Sequence, residues 1–115
     1  MAFQLRNQTP TYKWPVVVEP PVDGGQFGKE TFDAEFRRLP QDQLREIGER
    51  IDNGAIRDDE LCRLVLVGWA GIDDAEGEPV PFSEGNMEMM LNVALVASSI
   101  VAAWLDSLAK GKRKN

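Results

Sequence analysis

Lys29-Glu30-Thr31-Phe32-Asp33-Ala34-Glu35-Phe36-Arg37-Arg38 alternates along its length. Phe32, Ala34 and Phe36 fall on one side of an extended chain, and Thr31, Asp33, Glu35 and Arg37 on the other. A period of two belongs to a strand with one buried and one wet face. Upstream, Tyr12 to Val18 is a second extended run, rich in aromatic and β-branched residues and stopped by Pro20-Pro21. Between the runs, Asp23-Gly24-Gly25 supplies residues that tolerate the positive φ of a turn. The pattern predicts a β-hairpin over residues 12–38. A lone hairpin is marginal in water, so its apolar face must pack on something.

That something follows Leu39, where the period turns helical. Leu44, Ile47 and Ile51 share one face, Pro40 suits a first turn, and Asn53-Gly54 is a stop signal. A second helix opens on Asp58-Asp59-Glu60, which complement the positive end of its dipole. Its expected buried stripe is Leu61, Leu64, Val65, Gly68 and Trp69, with Gly71 closing it. Ile72 to Phe82 reads as a loop with an acidic tip, and Ser83 as the cap of the next helix. From Met87 to about Leu108 apolar residues run nearly all the way round, as in a helix buried on most sides, with a break expected near Asn92. The expectation is an α+β domain, an N-terminal β-hairpin packed on a small bundle of three or four α-helices. Within this single domain, 1–115, residues 1–10 are expected to be a flexible N-terminus, 40–109 the helical part and 110–115 a basic disordered tail. Expected core anchors are Phe32, Phe36, Trp69, Leu91 and Trp104.

Composition narrows the chemistry. Nineteen acidic residues against thirteen basic ones give a formal charge of −6, which argues against a nucleic-acid surface. There is no histidine, so the commonest general base and metal ligand is missing. The single cysteine, Cys62, offers neither an internal disulfide nor a thiolate pair for zinc. It reads as a small, partly buried helix residue. Met1 to Pro10 shows no basic region followed by an apolar run, so no secretory signal is expected. Met89 to Leu105 approaches the length of a membrane span, but Asn92, Ser98 and Ser99 interrupt it, and a buried helix explains the same residues.

The loop Asp73-Asp74-Ala75-Glu76-Gly77-Glu78 invites a calcium reading. Aligning Gly77 with the obligatory loop glycine puts Ile72 and Ser83 at the first and last ligand positions, where neither can serve. Nothing places its carboxylates in an apolar pocket that would split them into acid and base. Gly68-Trp69-Ala70-Gly71 lacks the phosphate-loop spacing and its following lysine. No catalytic, cofactor or metal residue is therefore assigned. Met87, Met89 and Met90 remain as an adaptable surface on which thioethers could repack around a partner.

Val65-Leu66-Val67-Gly68-Trp69-Ala70-Gly71-Ile72, with Asp74, Gly77 and Val80-Pro81-Phe82-Ser83, resembles the tail assembly chaperones of long-tailed bacteriophages and prophages. The resemblance extends to Trp14-Pro15-Val16 and to Phe32-Asp33-Ala34-Glu35-Phe36. It implies a protein that binds the tape measure protein, keeps it soluble and brings it together with tail tube protein. Met87, Met89 and Met90 would then be client contacts, and self-association is a further expectation. It implies no enzyme activity, no cofactor, no nucleic acid and no membrane partner. It places the protein in the cytoplasm of a bacterial host and outside the mature virion. The alternatives are a structural phage component, such as a tail completion or head–tail joining protein, or a small cellular adaptor.

Overall fold

Glu30–Arg37 forms strand β4, and Thr11–Val18 forms β1 antiparallel to it, with Val16 opposite Phe32 and Trp14 opposite Ala34. These are the elements of a computed structural model that describes Phe3 and residues 9–109. The expected flexible segment 1–10 falls largely, and the basic tail 110–115 wholly, outside the described residues. Past Val18 the hairpin continues as a thinner arm, where Pro21–Val22 (β2) pairs with Gln26–Phe27 (β3). Its tip turns on Gly24 and Gly25, at φ +85° and +73°.

The register of β1 also shows which of its residues face outward. Arg38 N–H donates to Pro10 C=O at one end of the ladder and Gly28 N–H to Pro20 C=O at the other, at 2.9 and 2.8 Å. Counting along the register, the even-numbered residues of β1 exchange bonds with β4, so Thr11, Lys13, Pro15 and Val17 aim their backbone groups at the edge that no described strand pairs. Pro15, which has no N–H to give, stands where the ladder asks for none.

The fold is α+β, with the hairpin N-terminal to the helices, but the sheet has a third strand. Leu66–Ala70 (β5) pairs antiparallel with β4, giving the order β1-β4-β5. The second helix, α2, is Asp58–Val65 and stops where the sequence predicted it to run on through Trp69. Leu64, placed on its buried stripe, is exposed. The competing force is tertiary. A hairpin leaves β4 with one unpaired edge, and β5 satisfies those backbone groups. Between Glu35 and Phe36 the register shifts by a bulge, and Gly68 sits opposite Glu35. A Cβ at Gly68 would stand 2.8 Å from Glu35 Oε1, so the bare backbone is what lets this carboxylate lie flat. Glu35 in turn accepts from Thr11 Oγ1 at 2.6 Å.

The remaining helices are α1, Gln41–Asp52, α3, Glu84–Leu91, and α4, Val96–Leu108. Pro40 C=O accepts from Gln43 and Leu44 N–H to open α1, and Ser83 Oγ accepts from Asn86 N–H to cap α3. The apolar face of the sheet, Val16, Val18, Phe32, Ala34 and Phe36, is buried together with Leu61, Cys62 and Val65 of α2 and Val96, Ile100 and Trp104 of α4. Trp69 and Leu91 are partly buried against this cluster. At its far end Ser107 Oγ donates to Trp104 C=O at 2.6 Å, which leaves it accepting from Tyr12 O–H at 2.7 Å.

The helical segment from Met87 to Leu108 is broken near Asn92, as the sequence suggested, into two helices. Residues 92–95 separate α3 from α4, and the two axes are bent by 102°. Among the described residues no single helix is long and apolar enough to cross a membrane. Nor is this segment buried on most sides, since Met89, Val93, Leu95, Leu105 and Leu108 are all exposed. The bend rests on Leu95, whose φ of +73° makes it the one non-glycine residue at positive φ among those described. That conformation costs a leucine about 1–2 kcal/mol, and the turn it makes lets both Met87 and Val96 reach the core.

A candidate docking surface at the α3–α4 bend

The bend leaves an open cleft of about 480 Å³ between the end of the sheet and the last turn of α3. Phe32, Ile72, Met90, Val93, Ala94 and Val96 supply its apolar lining. Glu30 and Asp73 stand among the lining residues, which include no lysine or arginine. Val93 is 53% exposed and Leu95, beside it, 45%. The concave lining is mixed, with apolar side chains beside the carboxylates of Glu30 and Asp73.

The three candidate methionines do not share a face. Met87 is buried, 7% exposed, and is a core residue rather than a client contact. Met90 lines the cleft. Met89, 64% exposed, lies on another side, beside Asp59, Arg63 and Glu88. The reason is helical geometry, since residues two apart point about 200° around the axis from each other. Val93, Ala94 and Leu95, which the sequence reading did not single out within the apolar segment, are exposed at the bend.

Neighbouring charges are already engaged with each other. Arg63 holds Glu88 through two bonds, Nε to Oε2 at 2.7 Å and Nη2 to Oε1 at 2.9 Å, and also reaches Asp59 at 3.1 Å. The bonds to Arg63 hold the Glu88 carboxyl below its ordinary value, and the bond to Glu88 raises Arg63. Asp59 is lowered first by its hydrogen bond from Arg57. This group ties α2 to α3 across an exposed surface and contributes little to stability.

The acidic loop is occupied with its own backbone. Asp74 Oδ1 accepts from Glu76 and Glu78 N–H, both at 2.9 Å, and Trp69 Nε1 anchors the loop by donating to Val80 C=O at 2.7 Å. Among the described residues no group of three or more histidine, cysteine or acidic side chains is arranged to hold a metal. Cys62 is fully buried, with Sγ 3.6 Å from Ala97 C=O. Burial pushes its thiol up to about 12, and the carboxylates of Asp58 and Asp59 add to the shift. A thiol held protonated in this way is no nucleophile at neutral pH. Comparison with protein families, with characterised proteins and with solved structures returned no match.

Proposed function

We propose that this protein acts by binding rather than by catalysis, as a phage tail assembly chaperone whose client is the tape measure protein. The observation that carries the binding part is the uncovered apolar surface at the α3–α4 bend, where Met90, Val93 and Ala94 line an open cleft. The phage part is supported by the likeness of Val65 to Ser83, with Trp14 to Val16 and Phe32 to Phe36, to that family. A physical rationale joins the two. A tape measure is long and helical, and before assembly its apolar stripes are exposed to aggregation. A small protein with an apolar groove covers such stripes by a helix-in-groove contact, and its formal charge of −6 keeps the complex apart from other complexes. Release during assembly favours many modest contacts along one client over a single tight one.

Co-expression with the tape measure protein of the same phage tests the reading. The soluble yield of the client should rise and the two should co-purify, while Val93→Asp should weaken capture without unfolding the protein. Purified virions, measured by mass spectrometry, should lack it. Stoichiometric presence in virions would favour a structural tail component instead. A tape measure whose solubility is indifferent to the folded protein would end the chaperone reading.

A further inference from the structure

The distribution of charge says what kind of segment the cleft accepts. The cleft lining holds two carboxylates, Glu30 and Asp73, and no lysine or arginine. Arg63 of α2 is bound to Glu88 and Asp59. Glu30 and Asp73, which line the cleft, have no ion-pair partner among the described residues.

Resting on the reading of this surface as a client site, we infer that the cleft docks a basic amphipathic helix. Its apolar stripe enters between Phe32, Ile72, Met90 and Val93, and its flanking lysines or arginines face Glu30 and Asp73. The recognition is by complementarity of sign. An acidic helix of the same apolar content would bring like charges against Glu30 and Asp73, in a lining that holds no lysine or arginine, and would be disfavoured. A neutral apolar segment would gain the floor of the cleft and nothing from the rim. The same field draws a cationic client in from a distance and weakens with salt.

Two synthetic peptides separate these cases, one with a leucine stripe and lysine at every other helical position, the other with glutamate in place of lysine. Binding to the folded protein is read by fluorescence anisotropy at low and moderate salt. The lysine peptide should bind, more weakly as salt rises, and the glutamate peptide at least about tenfold less tightly. Glu30→Gln with Asp73→Asn should flatten the salt dependence. Val93→Asp is the deciding variant. It adds a negative charge, so capture by the acidic surface at large would strengthen, whereas docking in the cleft loses about tenfold or more. Ala94→Asp, exposed in the same lining, serves if Val93→Asp fails to keep the native circular dichroism. Equal binding of both peptides, no binding of either, or undiminished binding by a folded cleft variant would each overturn the proposal. The peptides contain no tape measure sequence, so their failure leaves the co-expression result standing, and the reverse also holds.

Discussion

Met87→Ala and Met89→Ala remove the same side chain from positions two residues apart, and opposite outcomes are expected. Met87 is 7% exposed and belongs to the cluster that includes Val96, Ile100 and Trp104. Truncating a buried methionine to alanine costs about 2–5 kcal/mol, with the cavity left behind setting the position in that range. Met87 lies on a helix of eight residues that opens onto solvent, so its neighbours can relax and the lower part, about 2–3 kcal/mol, applies. For a chain of this size each kcal/mol moves the melting temperature by about 4 °C, which predicts a fall of about 8–12 °C. Met89 is 64% exposed, and its alanine variant should stay within about 0.5 kcal/mol of wild type. Urea unfolding followed by far-ultraviolet circular dichroism and by tryptophan fluorescence gives both values, provided the slopes agree. Equal losses at the two positions, or a larger loss at Met89, would show that α3 is rotated about its axis from the orientation described.

Two further measurements address the loop and the core. Trp69→Phe removes the donor to Val80 C=O and should cost about 1–3 kcal/mol, with faster amide exchange at Val80 and Asp74; exchange that stays at wild-type rates would mean the bond does not hold the loop. The Cys62 thiol ionises near 9.0 in the unfolded chain and near 12 in the folded one, so its stabilising contribution is full below pH 9.0 and is lost as the pH climbs through that window. Cys62→Ala should flatten the alkaline decline, and identical slopes for the two proteins would contradict the buried, protonated thiol.

Much of the architecture can be read from local pattern because the residues concerned answer to local forces. The alternation from Thr31 to Arg37 fixes which face of β4 is apolar whatever packs on it, and Ser83 ahead of an acidic first turn caps a helix through its own side chain. β5 is different. Leu61, Leu64, Val65, Gly68 and Trp69 keep helical spacing straight through the junction at Leu66, and only the vacant edge of β4 turns the second half into strand. The β-branched Val65 and Val67 with Gly68 between Val67 and Trp69 were the available hint. The cleft was hidden for a similar reason. Asn92 signals a break, but nothing in Val93-Ala94-Leu95 announces a sharp bend, which depends on a leucine accepting a left-handed backbone to satisfy packing on both sides of it.

Pro15 carries a consequence for the outer edge of the sheet. A bare sheet edge is a template, and an extended client strand or another copy could add to it one bond at a time. Along the outward row Thr11, Lys13, Pro15 and Val17, the third member offers a ring in place of a donor, so a growing ladder would lose registry midway along the eight-residue strand. What remains on either side is too short to seed a fibre. The eight-residue strand at the rim of the sheet is thus a poor template for pairing with a second copy of itself.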